Sequence, residues 1–411
     1  LGNRLILDEP PTWNGRPLKA AGLVRSLRWL CDPAPSSAPW DELGREMERA
    51  VEIQTAAYDA AQTRARPQSW ADFEAWTPEG HNLHPGAKTR DGFSDADLRA
   101  YAPEFSDRIE LPWLAVHKSL LRAAGEIPSA FHLDHEHWAV PVHPWQRKKV
   151  LTAVYPTEWQ NGLIRDLDRQ PLRAHLSTSL RTVHPEDPSW PILKLSVGSL
   201  MTSTERSMSR ATVLNGPVYS ELLDRALGEP SVWSSEVEFL RESGGLCWAD
   251  SAERGPKARQ LSLLLRQRPA LPEHHTPVPC STLPQPMHDQ ASLLKKLFAR
   301  GEGPVANLRR YCGLLIPVHI ELYQRWGVAL EAHLQNCVML WSPNQPRKLW
   351  LRDWGGLRAD RVRLEERAPD LLARLHPGAV TLSNDASARR KLVACLYSNH
   401  LTEIVVGLSL A

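Results

Sequence analysis

The sequence predicts a mixed α+β fold, with antiparallel strands in the middle of the chain and helices around them. Three observations carry that prediction. Residues 40–63 and about 306–333 have helical spacing and few breakers. Residues 174–206 instead read as strands, AHLSTSLRTV and then PILKLSVGSLMTSTER across a polar turn. Neither GxGxxG nor a Walker A spacing occurs, which disfavours the dinucleotide fold and the P-loop.

Composition sets the bounds. A chain of 411 residues suggests two or three domains at roughly 100–200 residues each. Hydrophobic content of 42% and charged content of 23% are ordinary for a globular protein. A net charge of +2 does not point to nucleic acid. With no run of about 18 apolar residues, no membrane span is expected. LGNRLILDEPPTW at the start lacks the regions of a signal peptide. The six cysteines form no CxxC pair, so a cytoplasmic protein with free thiols is expected. The chain begins without Met and stops in the apolar stretch Leu401–Ala411, without a C-cap signal. That reads as a natural protein extending further.

Taken in order, a helix is expected at 40–63, followed by a polar loop at 81–94 in which Gly86 and Gly92 permit close backbone approach to a ligand. Residues 95–125 read as helical with a proline interruption. His137–Gln146 reads as a short buried strand meeting a turn. Proline and histidine crowd 268–288, which is expected to be a loop or linker and marks the best boundary. The helix from about 306 to 333 is followed by strands at 336–342 and 348–353, joined by a Ser-Pro-Asn-Gln-Pro turn.

Several clusters carry chemistry. Glu331 and Asp353 stand 22 residues apart on elements that read as buried, with His333, Gln335 and Asn336 beside the first. Two buried carboxylates without a cation are unfavourable, and oxygen ligands suit Mg²⁺, which commonly arrives with a polyphosphate. Ser177, Ser179 and Arg181 share one face if their segment is a strand. That face would hold phosphate oxygens, or is an ordinary polar sheet face. Lys194 sits in an apolar run, so it needs a counter-charge unless it lies on an edge strand and snorkels. Thr202 and Arg206 share a face if a helix begins there, as anion ligands or as a cap with a solvated arginine. His132, His135 and His137 match no zinc spacing and read as a polar turn.

In series, these residues resemble a family. The ordered set is His84-Pro-x-x-Lys88, His143-Pro-Trp-Gln146, Ser179-x-Arg181-Thr182, Lys194, Thr202-x-x-x-Arg206, Glu331-x-His333-x-Gln335-Asn336 and Arg352-Asp353-x-x-Gly356. It resembles the aerobactin-type IucA/IucC synthetases, the NRPS-independent siderophore synthetases, over about residues 80–360. The resemblance implies a hand-like fold of fingers, palm and thumb, with a palm distantly like a kinase C-lobe. It divides the chain into a helical 1–170, a β-rich nucleotide-binding 171–290 and a palm at 291–411.

The implied reaction depends on ATP and Mg²⁺. A carboxylic acid, citrate or a related di- or tricarboxylate, becomes an acyl-adenylate and is captured by an amine or alcohol. By the family pattern His84, Lys88, Ser179, Arg181, Thr182, Lys194 and Asn336 bind nucleotide. Thr202, Arg206, His333 and Gln335 face the substrate, with Arg206, His333 and Gln335 catalytic, and Glu331 and Asp353 hold the metal. Small molecules are the implied partners, and a homodimer is common in the family. Leu334 departs from a glutamine seen in many members, and no cysteine cluster of the FhuF type is present. The competing readings are a kinase-like phosphotransferase and a non-catalytic nucleotide- or carboxylate-binding protein.

Overall fold

The computed structural model describes residues 40–409 apart from 83, 85, 203, 232–234, 250–254 and 289–290. Before residue 40 it describes Val24 and a small hairpin of β1 (Thr12–Trp13) and β2 (Arg16–Pro17). The reading of the first residues as leaderless, Cys31, Pro85 of the His84 loop and the final two residues therefore lie outside the described residues.

Three strand groups are arranged as expected for mixed, mainly antiparallel sheets. The largest sheet has the order β4 (Leu121–Gly125), β12 (Glu242–Trp248), β13 (Leu263–Arg266), β8 (Ile192–Leu195), β7 (Thr182–Pro185), β6 (Ile164–Leu176), β3 (Arg108–His117), β5 (His137–Pro141). All its pairings are antiparallel. A second sheet joins β11 (Val237–Phe239), β17 (Pro346–Leu351), β16 (Cys337–Trp341) and β14 (Thr276–Pro279), with β11 parallel to β17. A third holds β15 (Val328–Ala329), β18 (Arg358–Asp360) and β19 (Leu382–Ser383).

The period of two sorts the large sheet's side chains. Ile109, Leu111 and Trp113 bury on one face with Leu193 and Leu195. Leu114 and Val116 bury on the other with Ile164 and Leu246. Lys194, between two leucines of the first set, is thereby aimed at the opposite face. There its strand neighbour Ile192 packs with Val338, Leu340 and Trp350 of the second sheet. That alternation brings Lys194 towards the end of β17.

The helices α1 (Trp40–Thr63), α2 (Trp70–Ala75), α3 (Asp95–Tyr101), α4 (Arg210–Gly228) and α5 (Pro304–Trp326) surround the sheets. The largest core lies where α4 and α5 pack on the second sheet, through residues such as Leu222, Leu315, Met339 and Leu349. Ser69 and Ser94 cap α2 and α3 with reciprocal capping boxes, satisfying first-turn amides.

Three expectations are corrected. Residues 95–125 are not mainly helical: α3 ends at Tyr101, and Pro103 is followed by the ten-residue strand β3 and by β4. The run Arg108–His117 is aromatic and apolar, and short enough for a strand buried on both faces. The helix before Glu331 stops at Trp326, because Gly327 adopts φ 66° and closes a left-handed C-cap. Segment 268–288 contains β14, which pairs with β16 in the core. The last helical run, α6 (Asp385–Ser409), is long and apolar enough to cross a membrane by length and composition, which the sequence reading did not anticipate. One face is docked, however. Leu392, Leu396 and Ile404 enter the main core, and the buried His400 contacts the Tyr311 hydroxyl at 2.5 Å and the Ala332 carbonyl at 3.0 Å.

Candidate active site

A cleft of about 460 Å³ opens between the two larger sheets. Ser179, Arg181, Thr182, Lys194, Thr202, Arg206, Glu331, His333, Gln335, Asn336 and Asp353 all line it. Eleven of the thirteen residues given a nucleotide, substrate or metal role by the resemblance are thus brought together from elements up to 174 residues apart (Ser179 to Asp353).

Local geometry explains how they arrive. Ser177–Arg181 is not a strand but the turn between β6 and β7, with Leu180 at φ 60°. The Ser179 hydroxyl accepts from the Thr182 amide at 3.1 Å, which closes the turn. Arg181 then donates to the carbonyls of Arg206 at 2.7 Å and Ser207 at 3.1 Å, tying the turn to the next hairpin. Thr202 and Arg206 do meet, but across the hairpin of β9 (Leu200–Met201) and β10 (Thr204–Glu205) rather than on a helix. The Arg206 guanidinium donates to the Thr202 hydroxyl at 2.8 Å.

Lys194 and Asp353 form the centre. Their ammonium and carboxylate lie 2.5 Å apart, with Arg266 3.8 Å from the same carboxylate oxygen. The lysine is interior, not on an edge strand. Burial alone would raise the Asp353 carboxyl, but Lys194, Arg266 and Arg181 outweigh it and hold it far below the usual range. Asp353 has φ 72°, unfavourable for a non-glycine residue. Such strain costs on the order of 1–3 kcal/mol and concentrates at functional sites.

Glu331 sits in the loop after β15. Lys391 of α6 reaches it at 2.8 Å and His333 stands 3.6 Å away. Burial opposes its ionisation, yet His333 and Lys391 win and bring it to about 2. Its carboxylate lies over Gly356, where a Cβ would come within 2.0 Å of it. Each acid thus has a protein cation, so charge balance alone does not demand a metal ion. Among the described residues no group of three or more His, Cys, Asp or Glu gathers to hold one.

The cleft is strongly basic. Arg90, Arg259 and Arg266 line it with Arg181, Lys194 and Arg206. Burial, then the charge of Arg206, push Arg181 down to about 10. Such crowding of guanidinium groups is costly unless an anion enters.

His84 and Lys88 are not among the residues lining the cleft. His84 accepts from the Gly86 amide at 3.0 Å, shaping the loop. Lys88 is fully buried and spends its charge on Glu104 at 2.6 Å. A lysine beside glycines looked like a ligand to anions, yet burial made it a structural ion pair. His143 and Gln146 are also structural: Gln146 accepts from the Gly198 amide at 2.7 Å and donates to the Gln260 carbonyl at 2.9 Å. His137 closes a turn on Asp134, as the plainer reading expected.

Four important residues escaped sequence reading. Arg266 ends the run Leu-Leu-Leu-Arg, the same signal that singled out Lys194. Glu74 is fully buried and makes a bidentate pair with Arg352, which also donates to the Gln335 carbonyl at 2.9 Å. Lys391 lies 60 residues beyond its partner Glu331. Glu242, fully buried, is raised to about 7 by burial and by the neighbouring charge of Asp353.

The family model described as the IucA / IucC family matches residues 69–285, more than half the chain. The chain belongs to the IucA/IucC family. A second model, described as ferric iron reductase FhuF-like transporter, matches residues 308–410; the described cysteines there are all free. Among curated proteins, this family member is 26% identical over 375 residues to a D-ornithine–citrate ligase of Staphylococcus aureus, covering 81% of the chain and 57% of the relative. It is 27% identical over 327 residues to staphyloferrin A synthase of the same species, covering 72% and 54%. The chain therefore spans little more than half the length of these relatives. Among solved structures, the petrobactin biosynthesis protein AsbB from Bacillus anthracis matches with a TM-score of 0.85 at 21% identity, over 97% of this chain and 72% of that one. ATP-bound aerobactin synthetase IucA from Klebsiella pneumoniae matches at 0.77 and 18%, over 95% and 74%. These likenesses establish the fold.

Proposed function

We propose that this IucA/IucC member is an ATP- and Mg²⁺-dependent ligase. It activates a carboxylic acid, citrate or a related di- or tricarboxylate, as an acyl-adenylate and joins it to an amine or alcohol in siderophore biosynthesis. The observation that carries this reading is the basic cleft in which eleven family-like residues meet, a strained, ionised Asp353 among them. The curated relatives, two of them named for citrate ligation or staphyloferrin synthesis, support the substrate class.

A free carboxylate resists attack by an amine, and an adenylate gives it a good leaving group. Making that bond requires two anions, substrate and triphosphate, to approach each other. Arg181, Arg206, Arg259 and Arg266 offset their repulsion in a partly desolvated cleft, where such groups act most strongly. Ser179 and Thr182 supply hydroxyls beside Arg181 for phosphate oxygens, with Lys194 close to Asp353. Thr202, Arg206, His333 and Gln335, which also line the cleft, would contact the carboxylic acid.

Asp353 and Glu331 suit Mg²⁺ in donor chemistry, since both are ionised and line the cleft. Two carboxylates are too few for its octahedron, so phosphate oxygens and water would complete it. When bound, the metal would neutralise phosphate charge.

Hydroxylamine trapping tests the proposal. With ATP, Mg²⁺ and a panel of carboxylic acids, the full-length protein should release pyrophosphate and AMP and form a hydroxamate. Release of ADP instead would favour the kinase-like alternative and overturn the reading.

A further inference from the structure

Asp353 is held at φ 72° and ψ 94°, outside the left-handed well that aspartate visits most readily, so something outside the residue must hold it. The next residue, Trp354, is clamped at both ends. Its indole N–H donates to the Ser220 hydroxyl at 3.0 Å, and its backbone amide donates to Glu242 Oε1 at 3.4 Å. The two acceptors are themselves joined: the Glu242 amide donates to the Ser220 hydroxyl at 2.8 Å, and that hydroxyl donates on to the Gly216 carbonyl at 2.9 Å.

Glu242 also touches the second support of Asp353. Arg266 lies 3.6 Å from Glu242 Oε1 and 3.8 Å from Asp353 Oδ2, so the two acids share one guanidinium. The clamp is tight. A Cβ at Gly216 would come within 2.8 Å of Glu242 Oε2, so α4 presents a glycine where the carboxylate passes. Glu242 sits at the register shift of β12 against β13, which turns its side chain out of the regular ladder. It is fully buried and is not among the cleft-lining residues, so it has no route to substrate.

We infer that Glu242 is a positioning residue for Asp353, acting through Trp354 and Arg266 to fix the direction of the Asp353 carboxylate. The inference rests on the reading that Asp353 serves the reaction. Acids buried without exposure are costly, and this one stands beside a second acid, where a stability role alone would favour an apolar side chain. Its Oε1 acts as the acceptor, while Oε2 has no hydrogen-bond partner, so glutamine should serve nearly as well as glutamate and alanine should not.

The test compares Glu242→Gln, Glu242→Ala and Asp353→Asn in the pyrophosphate-release assay, with folding checked by circular dichroism. Misplacing a reacting group by about 1 Å costs roughly 100-fold, so Glu242→Ala should lower kcat by about that factor. KM for the carboxylic acid should stay within about threefold, because the substrate contacts are untouched, and Glu242→Gln should keep kcat within about fivefold of the parent. Should Glu242→Ala not fold, Trp354→Phe removes the indole N–H together with part of the ring, and a drop in kcat of about tenfold is expected from the same clamp. Unimpaired kcat in Glu242→Ala (or in Trp354→Phe when it stands in), or equal damage from glutamine and alanine, would overturn the inference while an inactive Asp353→Asn left the functional reading standing. Full activity in Asp353→Asn would overturn that reading itself.

Discussion

The pair Glu74–Arg352 links the stability of the fold to the shape of the site. Glu74 lies on α2 and its side chain is 0% exposed, while that of Arg352 is 6% exposed. The guanidinium grips both carboxylate oxygens and also donates to the Gln335 carbonyl through two nitrogens, at 3.1 and 2.9 Å. Replacing one partner leaves the other buried and uncompensated, which typically costs about 3–5 kcal/mol. Glu74→Leu also forfeits the bond from the Trp70 indole at 3.0 Å, worth about 1 kcal/mol. The retained Gln335 carbonyl offsets some of this, so a loss of about 4 kcal/mol is expected. In the double variant Glu74→Leu/Arg352→Met both charges are gone, and stability should return to within about 1–2 kcal/mol of the parent. Activity should not return. Arg352 immediately precedes Asp353 and is the tie that holds Gln335, so the double variant should be stable and nearly inactive. Urea unfolding followed by tryptophan fluorescence measures the first quantity and pyrophosphate release the second. A Glu74→Leu protein within about 1 kcal/mol of the parent, or a double variant no more stable than the single, would refute the argument.

Two further outcomes follow from other buried charges. Burial opposes ionisation of Glu104, but Lys88 and Arg90 outweigh it and lower its pKa from 4.5 to about 2. A carboxyl lowered on folding contributes stability above its unfolded value and loses it as pH falls through the folded one. About 3 kcal/mol should therefore disappear between pH 4.5 and 2, and Glu104→Gln should flatten that part of the acid-unfolding curve. Burial also pushes its partner Lys88 down. Lys391→Met should slightly lower the Mg²⁺ concentration needed for half-maximal activity, because it removes a cation that competes for the Glu331 carboxylate, and should raise KM for the carboxylic acid. Titrating each in the trapping assay measures both, and an unchanged KM would contradict a role for this end of the cleft in substrate binding.

Much of the site was legible because chemistry in the wrong place is visible in a sequence. Lys194 inside an apolar run had to find a counter-charge, and it found Asp353. Glu331 through Asn336 and Asp353 stood out as polar groups flanking buried strands. What the sequence hid was geometry made by long-range contacts. Thr202 and Arg206 have helical spacing, yet the contact between them is made across a two-strand hairpin, since a four-residue separation does not distinguish the two. Residues 95–125 read as a helix because a ten-residue apolar strand and a helix segment look alike without their partners. Glu74 meets Arg352 278 residues later, and nothing local marks an acid in a short capped helix as a core ion pair. Lys88 shows the converse: its glycine-bearing loop suggested a ligand, and only burial against Glu104 reveals a structural role.

The central claim is that Asp353, held by Lys194 and Arg266 in a basic cleft, serves ATP-dependent activation of a carboxylic acid. The most direct measurement is carboxylate-dependent exchange of radiolabelled pyrophosphate into ATP by the full-length protein, beside its Asp353→Asn variant. The account predicts exchange that requires Mg²⁺ and one class of di- or tricarboxylate, and its loss in the variant with the fold intact. Exchange that is undiminished in Asp353→Asn, or ADP formation without exchange in the parent protein, would contradict it.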